Sequence, residues 1–173
     1  MSTTDPNAQF EQIVLPHLDA AYNLARWLSG NDHDAEDIAQ EASLRAFRFL
    51  GGFRGANSRS WVLTIVRNTA FTWLKQNRAQ SFVSMSDCKL EEIEDTSPVS
   101  NPGHTHQVDG DVLRHALASL PVEFREVLVL RELEGLSYKE IADVADAPIG
   151  TVMSRLARAR KLLQEYLNRK GAQ

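Results

Sequence analysis

The stretch "YKEIADVADAPIGTVMSRLARARKLL", Tyr138–Leu163, sets two helical patterns around Ala147-Pro148-Ile149-Gly150 and then turns basic. Such an arrangement needs a small residue where two helices touch, a tight turn, and apolar residues that hold the second helix down. Ile141 and Ala142 supply the brace, and Asp146-Ala147-Pro148 the turn. Val152, Leu156, Ala159 and Leu163 fall on one side at helical spacing, which leaves Ser154, Ala157, Arg158 and Lys161 facing away. This is a helix-turn-helix whose outward face suits a major groove, with Arg155 and Arg160 on its flanks for phosphates. Asp146 stands where the turn needs a left-handed residue, and Asp tolerates that conformation better than most. Upstream, Ser137 and Glu140 fit a capping box, with Leu136 and Ile141 at the positions of a hydrophobic staple.

Working outward, "DVLRHALASLP" and "PVEFREVLVLRELEG" read as two further helices, so the second half of the chain holds four. The first half reads as three. Phe10, Ile13, Val14, Leu18, Ala21, Leu24, Ala25 and Leu28 recur at helical spacing up to Gly30, with Pro16 marking a kink or break. The next helix takes Asp32 or Asp34 as its cap and stops at Gly51-Gly52. After the loop "FRGANSRS", a third helix runs from Trp61 to about Arg78. Between Ser81 and Asp111 the periodicity fails, and Ser, Pro, Gly and acids dominate, as in "LEEIEDTSPVSNPGHTH". A stretch that long reads as a linker rather than a loop. The expected architecture is therefore all-α, with small helical domains over residues 8–80 and 112–170 joined by an acidic flexible linker over 81–111. Because the linker offers little apolar area, the two domains are expected to touch weakly or tumble independently.

The 173 residues carry a net charge of -4, which hides two basic stripes. Ala42–Ser86 holds seven basic residues and no acid, and Thr151–Gln173 holds six against Glu165 alone. For a polyanion partner this distribution matters more than the total. The single cysteine, Cys88, excludes an internal disulfide, and no run of about 18 apolar residues is present for a membrane span. The expectation is a cytoplasmic protein without direct membrane insertion. No nucleophile–base pair or phosphate loop can be placed, so no enzymatic chemistry and no cofactor are expected. His33, Asp37 and Glu41 lack the further ligands a metal needs, and Cys88, His104 and His106 are too widely separated, so no metal is expected either.

At these residues the chain resembles a known family. "LSYKEIADVADAPIGTVMSRLARAR" is similar to the promoter-reading fourth domain of extracytoplasmic-function sigma factors, and "DAEDIAQEASLRAF" followed by "FRGANSRSWVLTIVRNTAFTWL" resembles their second domain. The resemblance implies a factor that binds core RNA polymerase and directs it to promoter DNA, held inactive by an anti-sigma factor. It implies that the "DxxQE" residues Asp37, Gln40 and Glu41 dock on the polymerase clamp. Further, it places Phe53 to Ser60 at the rim of a pocket for an unstacked minus-10 base, with Asn68 inside and Trp61 nearby, and the same stretch offers the cations Arg54, Arg59 and Arg67. Stacking rings, an amide and cations suit single-strand recognition. Thr151, Ser154, Arg155, Arg158, Arg160 and Lys161 would meet the minus-35 element, Ser154 and Arg158 being the best placed for base edges. The acidic "EEIED" of the linker would lie in the RNA exit path. Met153 and Ala157 depart from the family pattern, so no minus-35 preference transfers. Two alternatives are a stand-alone helix-turn-helix regulator, for which no dimerisation helix is left over, and a sigma-like mimic that binds an anti-sigma protein, against which the basic face argues.

Overall fold

Pro16 has no amide hydrogen to donate, and the first helical pattern divides there. Helix α1 (Pro6–Ile13) starts from Asp5, whose carboxylate accepts from the Asn7 amide, and a single 3-10 turn over Leu15–His17 leads into α2 (Leu18–Ser29). This computed structural model describes residues 5–84 and 105–171, and all regular structure among them is helical. Gly30 closes α2 in the left-handed region at φ 92°. The cap of α3 (Asp32–Phe49) is Asn31, not Asp32 or Asp34: its backbone is extended and its side chain accepts from the Asp34 amide at 2.8 Å. Asp32 and Asp34 instead fill the first turn, where negative charge meets the helix dipole, and Asp32 also pairs with Arg26.

Helix α4 (Ser58–Ser84) begins at Asn57, whose side-chain oxygen accepts from the Ser60 amide at 3.1 Å. It buries Val62, Leu63, Val66 and Ala70 against Leu24 and Leu28 of α2 and the small Ala35, Ala42 and Ala46 of α3. Alanines one and two turns apart let these helices approach closely. Expected to start at Trp61 and end near Arg78, α4 is longer at both ends and reaches into the stretch read as linker. From the other side α5 (Thr105–Ser119) does the same. Residues 85–104 lie outside the described residues, and with them Cys88, the "EEIED" run and His104.

In the second unit, α6 (Val122–Leu128) runs into a π-helical turn over Val129–Leu133 before α7 (Tyr138–Ala145) and α8 (Ile149–Gly171). The capping box forms as expected, with Ser137 and Glu140 satisfying each other's amides. Asp146 adopts φ 49° and ψ 53°, so the left-handed corner of the helix-turn-helix sits on the residue that the sequence singles out. Leu136, Ile141, Val144, Val152, Leu156 and Ala159 are all buried around it.

The two units do not merely touch. Helices α2 and α4 pack against α6 and α7, and the buried apolar residues of both units form one continuous cluster. The expectation of loose association considered only the linker's apolar area, whereas the area comes from helix faces on either side.

Candidate polymerase and nucleic-acid interfaces

Three surfaces carry the residues singled out by sequence. On α8, Val152, Leu156 and Ala159 are buried, Leu163 is partly buried, and Ser154, Ala157, Arg158 and Lys161 are exposed, the separation that a 3.6-residue period requires. Thr151 and Arg155 are half-buried at its margin. Among the described residues no hydrogen bond or ion pair engages the Arg158 or Lys161 side chain. Arg160 differs: its guanidinium donates to Glu132 at 2.7 Å, which pushes its already high pKa further up. Ser154 donates its hydroxyl back to the Thr151 carbonyl at 3.1 Å.

The second surface lies at the start of α4. Phe53 and Trp61 bring their rings to 5.0 Å with a 49° tilt, while Arg54 and Asn68 stay exposed. Trp61 is only partly exposed and also packs on the core. The two remaining arginines point into the second unit. Arg59 donates to the Glu134 carboxylate at 2.8 Å and to its backbone carbonyl at 2.5 Å. Arg67 donates to Glu126 at 2.6 Å, lies 4.0 Å over the Phe71 ring, and reaches Asn68 at 3.4 Å. Glu126 is wholly buried, and burial pushes its carboxyl pKa up although the Arg67 hydrogen bond and charge pull it down. Arg59 also stands near His17, whose ring accepts from or donates to Ser58 at 2.9 Å; burial first, and Arg59 second, lower its pKa.

The third surface is on α3. Asp37 is exposed beside His33 at 3.8 Å, and Glu41 is tied to Arg45 at 2.8 Å. Gln40 alone of the three opens onto a groove of about 630 Å³, lined by Phe10, Leu18, Tyr22, Leu44 and Phe47. Phe10 meets Phe47 edge-on with centroids 5.7 Å apart, and Leu44, Phe47 and Phe49 are all exposed. The sequence reading passed over this apolar face. Its signal was available in "LRAFRF", where apolar residues exceed what a single buried stripe needs. A smaller apolar groove of about 200 Å³ between α5, the π turn and α8 was missed as well; Leu113 and Leu133 stand exposed at it. Leu133 is the last residue of the π turn, where the 3.6-residue period does not hold. Among the described residues no group of three His, Cys, Asp or Glu could hold a metal, and no helix is long and apolar enough to cross a membrane.

Residues 13–80 match the family described as Sigma-70 region 2, and residues 110–163 match Sigma-70, region 4. Over 166 residues the chain is 32% identical to the RNA polymerase sigma-H factor of Pseudomonas aeruginosa, covering 91% of this chain and 86% of that one. It is 36% identical to the ECF RNA polymerase sigma-E factor of Escherichia coli over 75% of this chain and 72% of the other. Identity to the ECF RNA polymerase sigma factor SigE of Mycolicibacterium smegmatis is 37% over 91% of this chain, which spans only 61% of that relative's length. The sigma factor RpoE of Bartonella quintana, solved in complex with the anti-sigma factor NepR, superimposes with a TM-score of 0.73 at 29% identity, covering 92% and 96% of the two chains. The fold is also that of CnrH, solved with the cytosolic domain of CnrY (TM-score 0.66, 23% identity, 96% and 91% coverage).

Proposed function

Because this chain belongs to the extracytoplasmic-function family of RNA polymerase sigma factors, we propose that it binds core RNA polymerase and confers promoter selection, without covalent chemistry of its own. One observation carries the reading: two sigma regions occur in order in one chain, and the second ends in a helix whose exposed Arg158 and Lys161 side chains have no hydrogen-bond or ion-pair partner among the described residues. In this account Ser154 and Arg158 meet base edges of the minus-35 element from the centre of the α8 face. Thr151, Arg155, Arg160 and Lys161 contact phosphates around them, setting register without reading sequence. Phe53 and Trp61 form the stacking wall for an unpaired minus-10 base, Asn68 offers the amide to its edge, and Arg54, Arg59 and Arg67 meet the strand's phosphates. On α3, Asp37 and Gln40 dock on polymerase, while Glu41 acts at one remove by bracing Arg45, which also reaches Thr69 of α4.

An anti-sigma protein is the further partner proposed, on the ground that the Bartonella relative was solved with one. The site of action is the cytoplasm, where polymerase is. The reading is tested by adding the purified chain to core polymerase, selecting bound genomic fragments and running transcription from them. Transcripts should start a fixed distance downstream of a two-part motif, and only when both proteins are present. Nanomolar, sequence-specific binding of duplex by the chain alone would favour a stand-alone regulator instead.

A further inference from the structure

The exposed face of α8 is built from two ridges that run side by side. Ile149, Met153 and Ala157 follow one another at four-residue steps, and so do Gly150, Ser154 and Arg158. At about 100° per residue, a step of four turns the helix by only about 40° beyond a full circle, so each trio stays on one line along the surface. The second ridge carries Ser154 and Arg158, the two side chains placed at base edges. The first offers no side-chain donor and no side-chain oxygen.

Ile149 is 45% exposed and Met153 51%, and neither joins the apolar cluster that takes in their neighbours Ala147 and Val152. Single apolar residues scattered over a surface need no explanation. Here the apolar ridge lies against the ridge of Arg158 and leads on into Lys161, and among the described residues neither cation has a partner. An apolar protein surface laid on this face would have to bury both charges. A DNA groove instead meets them with phosphates, and it offers apolar ground of its own in the C5-methyl of thymine. The two exposed residues also differ. Towards the corner, Ile149 borders a depression that Asp143 and Asp146 line as well, and their exposed carboxylates repel phosphates at that end. Met153 stands one turn further along, outside that depression. Its unbranched, polarisable thioether adapts to the position of a methyl group. A lysine or arginine in its place could reach a phosphate; a thioether cannot.

We propose that Met153 reads a thymine methyl in the minus-35 element, with the small Ala157 beside it giving the bases room to approach. One A·T pair is then chosen by apolar contact, while Ser154 and Arg158 read neighbouring bases by hydrogen bonds. This rests on the sigma-factor reading for the placement of α8 on a promoter, and names the chemistry of recognition there.

The test uses holoenzyme assembled from core polymerase and the full chain, on a promoter fragment recovered by selection with that holoenzyme. Each thymine of the minus-35 element, on either strand, is replaced by uracil, which removes the C5-methyl and keeps every hydrogen-bonding group. At one position uracil should weaken binding by the parent about fourfold, the effect of returning one methyl group to water. Met153→Ala should bind the thymine and uracil forms of that position equally, with its responses elsewhere in the element unchanged. Met153→Leu should retain the discrimination, and Met153→Gln, similar in length but polar, should lose it. Because Met153 is exposed, circular dichroism and affinity for core polymerase without DNA should be the same in Met153→Ala as in the parent. An element in which no thymine responds to uracil, or a response that Met153→Ala leaves intact, overturns the proposal. So does weakened core binding in Met153→Ala, which would make the ridge a protein surface. If the parent chain directs core polymerase to no fragment, the sigma-factor reading falls and the proposal with it. Promoter selection that persists while uracil goes unnoticed overturns the proposal alone.

Discussion

The basic face of α8 and the basic start of α4 look alike as strings of residues and differ in three dimensions. Arg158 and Lys161 face solvent with no partner among the described residues, whereas Arg59 and Arg67 are held by carboxylates of the other unit. A helical period tells which side of a helix is polar. It does not tell whether that side is covered. The two faces therefore make opposite demands on mutation: one should respond only when DNA is present, the other already in the free chain.

The largest effect should come from Arg67→Ala. It strands the buried Glu126 carboxylate, and losing one member of a buried pair costs about 3 kcal/mol. The cost should fall on the packing between units rather than on the helices, because Glu126 becomes solvated once they separate. Circular dichroism should therefore stay unchanged while the urea midpoint falls and the distance between the units lengthens, as read from spin labels on Gln12→Cys in α1 and Gln164→Cys in α8 of a Cys88→Ser chain. Arg158→Ala provides the contrast. Being exposed and unpaired, it should leave stability within about 0.5 kcal/mol, yet cost holoenzyme about 1 to 3 kcal/mol of binding, with relaxed preference at one minus-35 position. If Arg67→Ala were as silent in the free chain as Arg158→Ala, the distinction drawn between the two faces would be wrong.

This contrast also marks how far the sequence reaches. The buried stripe of α8, the Ser137–Glu140 box and the left-handed Asp146 were legible because each depends on residues within a few positions of one another. Asn31 was passed over as the α3 cap because Asp32 and Asp34, equally good capping types, stand beside it; only the backbone angles decide among them. Partners 59 and 75 positions apart, Arg67 with Glu126 and Arg59 with Glu134, leave no periodic trace at all. The same holds for the groove beside Gln40, which α1, α2 and α3 build together. Local chemistry was readable, and pairing across the chain was not.

Arg160 sharpens the comparison within α8 itself. Since Glu132 already holds it, a phosphate must compete for its guanidinium. Arg160→Ala should weaken all promoters alike and lower the salt slope of holoenzyme binding by about one unit or less. Glu132→Ala should do the reverse, strengthening binding uniformly by freeing the cation. A promoter-specific effect of Arg160→Ala would move it from the flank to the reading face. Smaller in scope but of similar size is Ser137→Ala, which removes the side-chain half of the capping box and should cost about 1 kcal/mol of stability. It should leave the label distance between the units unchanged, because the Asn57 amide of α4 donates to Glu140 and not to Ser137.

The smallest expected effect is a dependence on pH of closure, the packing of the two units on each other, and its sign follows from Glu126. Burial raises its pKa above 4.5, with Arg67 and then Arg155 pulling down and Glu123 adding a push upward. Parting the units should hydrate this carboxyl and bring its pKa back down, with Arg155 of its own unit still beside it. The closed state therefore holds this proton more tightly, and by linkage acidification favours closure. The contribution is fully present below the ordinary value and is lost as pH rises through the raised one. Glu140 works the other way, but for closure only through the Asn57 amide: the first cause of its lowered pKa, the backbone hydrogen bond from Ser137, lies within the second unit and persists on opening, so the part that belongs to closure is present above 4.5 and is lost as pH falls through the lowered value. The window for Glu126 lies above that for Glu140; His17, whose pKa is lowered by burial and then by Arg59, responds to acid with the opposite sign, so the Glu126 contribution is the part of the response that Glu126→Gln removes. Taken from about pH 7 towards about pH 5, the labelled chain should show a shorter, narrower distance between its units. Glu126→Gln, which keeps an acceptor for Arg67 without the buried charge, should be at least as closed as the parent at neutral pH and should show no such shift. A parent chain that opens more than Glu126→Gln on mild acidification would mean that the Arg67 pair outweighs burial, and that the carboxylate strengthens the contact instead of weakening it.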